Sequence, residues 1–150
     1  MKRKGNYFLW LLLACIASAF VFAGCKKNGE LQYTVVSSES AGGELRVEIC
    51  VDEMEGAFTL LQVMERAQAS GDLSYEISAG MITGINGKKN AADFSACWML
   101  YTSDKEMANE GWGTIVCGEE TLGSAIVGAD ALTVVKGKSY VWQYVRFKNG

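Results

Sequence analysis

Apolar and polar residues follow three rhythms along this chain. From Tyr7 to Phe22 nearly every residue is apolar, behind a basic start (Lys2, Arg3, Lys4) and ahead of Ala23-Gly24-Cys25. Residues 26–43 are polar and rich in Ser and Gly. They read as a flexible tether with an r.m.s. reach of about 25 Å, within which Tyr33 to Val36 has the makings of a short edge strand. From Leu45 the period becomes two, with Leu45, Val47, Ile49 and Val51 alternating with Arg46, Glu48 and Cys50, as in a half-buried strand. The period then lengthens to that of a helix. Thr59 and Gln62 stand three apart as a capping box, Phe58 and Val63 occupy the staple positions, and Leu60, Val63, Met64 and Ala67 share one face. Gly71 is a natural stop.

Beyond the helix the pattern is all strand. Leu73 to Ile77 alternates, and Met81 to Ile85 runs into the turn signal Asn86-Gly87. Cys97 to Thr102 is a continuous apolar run, as expected of a strand covered on both faces. Residues 103–113 read as a polar loop carrying Trp112. A small hairpin is expected at Thr114–Cys117 and Thr121-Leu122, and two more strands at Ala131–Val135 and Ser139–Phe147, joined by a turn at Lys136-Gly137-Lys138. One helix among roughly six or seven strands predicts an α+β domain, a sheet with a single helix laid on it.

The apolar block at the start changes where this domain is expected to work. A basic n-region, a short apolar h-region and small residues before a possible cut describe a secretory signal. A Cys placed directly after them resembles the lipobox of bacterial lipoproteins, although Phe22 stands where that family carries Leu, Val or Ile. The resemblance implies that Cys25 takes a diacylglycerol and that cleavage follows before it. The acyl chains, of which palmitate is typical, would then hold the protein on the extracytoplasmic face of a cell membrane. The alternative is a plain signal or a membrane helix with a chance Cys, but sixteen apolar residues are short for a core of about 30 Å. The layout that follows is a signal peptide over 1–24, a lipidated Cys and tether over 25–43, and one domain over 44–150.

Composition narrows the chemistry. The removed stretch holds three basic residues and no acidic one, so 14 Lys and Arg fall to 11 against 17 Asp and Glu. A chain this acidic lacks the footprint of a nucleic-acid binder, and its attachment to a membrane would rest on the lipid. There is no His at all, which removes the commonest general base and metal ligand. Cys50, Cys97 and Cys117 remain after Cys15 and Cys25 are set aside, with no CxxC spacing; they allow one disulfide or none. The carboxylates Asp93, Asp104, Glu106, Glu110, Glu119, Glu120 and Asp130 fall in loops and turns without metal-binding spacing. No enzyme is expected on these grounds, nor is a metal site.

Three blocks in fixed order carry a second resemblance: Ser78–Gly87 (SAGMITGING), Cys97–Tyr101 (CWMLY), and Gly123–Asp130 (GSAIVGAD) followed by a terminal strand after Gly137. With the preceding strand and helix they look like the transcobalamin-like C-terminal domain, and the likeness spans residues 45–147. It implies a β-grasp-like mixed sheet with one packed helix, and binding without chemistry. In animal cobalamin carriers this domain covers one face of the corrin ring through strand backbone groups and apolar side chains. Matched positions are Thr83, Gly84, Trp98, Met99, Leu100 and Tyr101, with Ser124 to Ile126 further out. The large helical domain of the carriers, and the His it gives to cobalt, have no counterpart here.

Two functions from different classes follow. One is capture of a small ligand such as cobalamin or another corrinoid, for which an open apolar pocket beside Trp98 is required. The other is an interaction or display module that docks another envelope protein, for which a flat patch around Trp112 and Tyr140 is required. Trp98 is either a ligand platform or a core anchor, and large aromatics in apolar strands are mostly core. Trp112, among Asn109, Glu110 and two glycines, is the better exposed contact. On the last strand Tyr140, Trp142 and Tyr144 share one face and Val141, Val145 and Phe147 the other, which suggests one buried side and one partly covered aromatic stripe.

Overall fold

Each period read from the chain finds a place in the structure. The computed structural model describes residues 31–40 and 42–147; the expected signal peptide and lipidation site, Cys25, lie outside the described residues. In chain order the elements are β1 (Leu31–Glu39), β2 (Leu45–Met54), α1 (Leu60–Ser70), β3 (Tyr75–Ser78), β4 (Met81–Ile85), β5 (Lys88–Lys89), β6 (Ala96–Thr102), β7 (Ala108–Cys117), β8 (Glu120–Ala125) and β9 (Ser139–Arg146). A six-stranded sheet runs β1-β2-β9-β6-β8-β7, and a three-stranded meander β3-β4-β5 stands beside it. The protein is an α+β domain.

The expected mixed sheet is corrected: every strand pairing in both sheets is antiparallel. There are nine strands among the described residues, more than expected, and two segments read as polar belong to them. The segment read as tether contributes β1, in which Leu31, Tyr33 and Val35 are buried and the Ser-rich remainder pairs with β2 through its backbone. The short edge strand expected at Tyr33 to Val36 is thus present and extends beyond both ends, because an edge strand needs only its inward residues to be apolar. The segment read as a polar loop contributes the first half of β7. Conversely, the strand expected at Ala131–Val135 is an extended segment with one bridge, Thr59 to Thr133, and its Leu132 and Val134 are buried.

The helix is as read. Thr59 Oγ1 accepts from the Gln62 N–H, the Gln62 side chain accepts from the Thr59 N–H, and Gly71 ends the helix at φ 84°. Leu60, Val63, Met64 and Ala67 are fully buried against one face of the large sheet, with Val47, Ile49, Val51, Trp98, Leu100, Tyr140, Trp142 and Tyr144. The aromatic stripe of β9 is therefore core, not a partly covered surface. The opposite face is covered by the β7–β8 hairpin, where Ile115 and Leu122 pack on Tyr101 and Val141. Arg46 closes that cover: it donates to Val116 O at 2.9 Å and to Gln143 Oε1 at 2.6 Å.

Two free N–H groups in the first turn of α1 are taken by a distant loop. Leu60 donates to Leu132 O and Leu61 to Ala129 O, both at 2.8 Å. Helix starts carry such orphan donors, and here they clamp the segment after β8 in place. Among the described residues all of the core falls within 31–146, so a chain beginning at residue 28 retains all of it. Thr59→Ala is expected to lower unfolding free energy by about 1 kcal/mol, with Thr59→Ser near the unmutated protein in urea denaturation. Identical midpoints for the alanine variant would show that the cap contributes nothing.

Candidate functional site: a cleft on the open edge of β6

β6 pairs with β9 from Ala96 to Thr102 but with β8 only at Tyr101 and Thr102. Over Ala96–Leu100 one edge therefore has no strand beside it. Two of its backbone groups are capped from the β5–β6 loop: the Trp98 N–H donates to Asn90 Oδ1 at 2.9 Å, and the Ala96 carbonyl accepts from the Ala91 N–H at 2.8 Å. Antiparallel alternation puts the Trp98 carbonyl and the Leu100 N–H on the same edge.

Along this edge lies a cleft of about 560 Å³, within the range of small-molecule sites. Ile77 to Thr83 form one wall and Ala125 to Asp130 the other, with Cys97–Leu100, Trp142, Asn90 and Phe94 between them. The first wall is a hairpin whose turn residues Ala79 and Gly80 both have positive φ (50° and 80°), the twist that a two-residue hairpin requires. The second is the segment clamped to the start of α1. Ile77, Met81, Phe94 and Ile126 are exposed apolar residues, and all four border the cleft. Such clustering marks a binding surface more than scattered single residues do.

Phe94 is the costliest of these placements. It is 61 % exposed and held at φ 57°, a left-handed conformation that disfavours a bulky residue by roughly 1–2 kcal/mol. Asp93 braces it by accepting from both the N–H and the hydroxyl of Ser95, bonds that hold the Asp93 carboxyl below its usual range. Strain of this kind concentrates at functional positions.

The residues singled out from the sequence divide. Thr83, Trp98, Met99 and Leu100 line the cleft, as do Ala125 and Ile126. Gly84, Tyr101 and Trp112 do not, which corrects the candidate set. Gly84 sits mid-strand between Glu76 and Lys89. Tyr101 lies where β8 joins β6 and is buried in the second core with Ile115, Leu122 and Val141. Trp112 is 65 % exposed elsewhere: Glu110 to Gly113 have no partners on β8, because Asn109 pairs with Ser124 and Thr114 with Gly123. β7 packs closely over Gly123 here: a Cβ there would lie 3.0 Å from the Ala108 Cβ and 3.2 Å from the Glu110 Cγ. The flat patch of Trp112 with Tyr140 does not exist, because Tyr140 is fully buried.

Trp98 itself is core. Its ring is 5 % exposed and stands edge-on to Tyr144 at 5.4 Å, and its Nε1–H donates to Lys88 O at 2.8 Å. Its strand, more than its indole, faces the cleft. The Trp142 Nε1–H, buried in the same region, has no acceptor among the described residues, and such orphan donors are rare enough to mark a site. Met81, Phe94, the Val127–Asp130 turn and Trp142 were missed by sequence reasoning. For Phe94 a signal existed, a lone large aromatic in a polar stretch, the same signal that drew attention to Trp112.

The thiols carry little reactive character. Cys50, Cys97 and Cys117 are free. Burial pushes Cys50 up to about 11, and pushes Cys97 and Cys117 up as well; the Glu48 carboxylate, hydrogen-bonded to both Cys50 and Cys117, adds to the rise in those two. A thiol held protonated is a poor nucleophile.

Trp98→Ala is expected to lower unfolding free energy by about 3–5 kcal/mol, whereas Trp112→Ala is expected to stay within about 0.5 kcal/mol of the unmutated domain. Urea denaturation measures both, and equal midpoints for Trp98→Ala and the unmutated domain would overturn the core assignment of Trp98. Compared with protein-family models, with curated proteins and with solved structures, the chain matches none, so what the cleft does is a question for its chemistry.

Proposed function

We propose that this protein is a lipid-anchored extracytoplasmic binding domain that captures a planar, largely apolar ligand in the β6 cleft without transforming it. A corrinoid such as cobalamin is the ligand class that the transcobalamin-like resemblance implies. The observation that carries the reading is the open edge of the Trp98 strand at the base of an apolar cleft. A flat amphipathic ring needs an apolar wall with backbone donors and acceptors at its rim, and strand edges supply both. The helix packed across one sheet face fits a β-grasp-like arrangement, while the wholly antiparallel pairing departs from the mixed sheet expected of it. The absence of His from the sequence and the raised thiols favour binding over catalysis.

The exposed Trp112 favours a second reading, docking of another envelope protein at the β7 bulge. Titration of residues 28–150 with cobinamide and cobalamin, followed by calorimetry and Trp fluorescence, separates the two. Saturable binding at roughly micromolar concentration or tighter is expected for corrinoid capture. A folded fragment that binds neither compound at roughly millimolar concentration would remove the corrinoid reading and leave Trp112 as the contact. For the anchor, Cys25→Ser is expected to abolish incorporation of labelled palmitate in cells and to release the protein from the membrane fraction. Undiminished labelling of that variant would refute lipidation at Cys25.

A further inference from the structure

The charges around the cleft are unevenly placed. Among the described residues no Lys or Arg lines it, and Asp130 is the single charged side chain that does. Two cations, Lys88 and Arg146, line a separate recess of about 160 Å³, where the Lys88 ammonium lies 4.7 Å from the centre of the Tyr144 ring. Lys89 is paired with Glu76 on the meander. The Asp130 carboxylate makes no hydrogen bond or ion pair with the described residues.

Its position is built rather than incidental. Asp130 lies in the turn that begins at Gly128, whose carbonyl accepts from the N–H groups of both Ala131 and Leu132. The same turn is tied to the helix through Ala129. A Cβ on Gly128 would lie 2.8 Å from Asp130 Oδ1. Gly128 does not have the positive φ that calls for glycine, so what its missing side chain provides is room for the carboxylate over the cleft wall.

Resting on the reading of the cleft as a ligand site, we infer that Asp130 makes it charge-selective. It admits apolar ligands that bring a positive charge or amide N–H groups to the Asp130 end, and it rejects anionic ones. An anionic group entering here would shed its hydration into an apolar wall, find no cation to replace it, and meet a like charge. A cation or amide would instead give the carboxylate a charge-assisted partner. A ring edged with amides fits this site, whereas one edged with free carboxylates does not.

A matched pair of planar aromatic dyes tests this, one carrying a quaternary ammonium and the other a sulfonate. Each is titrated into residues 28–150 with dye and Trp fluorescence as readouts. The cationic dye is expected to bind about tenfold or more tightly than the anionic one. Asp130→Asn, an exposed change with no lost partner, is expected to leave the melting temperature unchanged and to close most of that gap. Equal affinity of the two dyes for the unmutated domain overturns charge selection while leaving the cleft a binding site. A gap that persists in Asp130→Asn overturns the role of Asp130. Failure of both dyes to bind overturns the selectivity together with the reading of the cleft on which it rests.

Discussion

A strand edge whose amides face no other strand persists in a folded domain only if something else takes its donors and acceptors, and along Ala96–Leu100 that requirement organises the molecule. Asn90 is the piece that meets it. Its Oδ1 takes the Trp98 N–H, and its Nδ2–H donates to Ile82 O at 3.1 Å, so one side chain joins the large sheet to the small one. The Trp98 Nε1–H to Lys88 O and the Tyr144 hydroxyl to Lys89 O repeat the connection further along. The meander is thus held beside β6 by side chains, not by a strand ladder. The space left between them is the cleft.

That arrangement explains why the two faces of the sheet are treated so differently. On one face α1 packs over the middle of the sheet and its first turn anchors the Ala125–Asp130 wall. On the other, the β7–β8 hairpin folds back and is locked by Arg46. β8 can serve both faces only because it abandons β6 after two residues. The same departure opens the edge and sends the chain from the second core toward the helix. The bulge that exposes Trp112 lies in the partner strand opposite this point, between Asn109 and Thr114.

The cleft rim and the core are therefore built from different side chains. Trp98 and Trp142 hold the core while their strands border the cleft, and the exposed rim residues Ile77, Met81, Phe94 and Ile126 contribute little to the core. The strained residue, Phe94, sits on the rim and is braced locally by Asp93 and Ser95. Rigid elements border the cleft and loops finish it.

What the sequence determined by itself was local. The capping box, the apolar stripe and Gly71 specify α1 because a helix is closed by contacts three and four residues apart. The Asn86-Gly87 turn, with φ 48° and 79°, and the alternation of β2, β4 and β9 are equally short-range. The lipobox-like stretch and the absence of His were also plain in the residues. Tertiary structure alone decided which strands are neighbours, how far β1 extends along the sheet, and that Tyr101 turns away while Trp98 and Leu100 face the helix. It also decided that β6 has an open edge and that Asp130 stands over a cleft 30 or more positions downstream of Trp98. These depend on pairings between distant segments, and no period or spacing along a chain records which strand will be left without a partner.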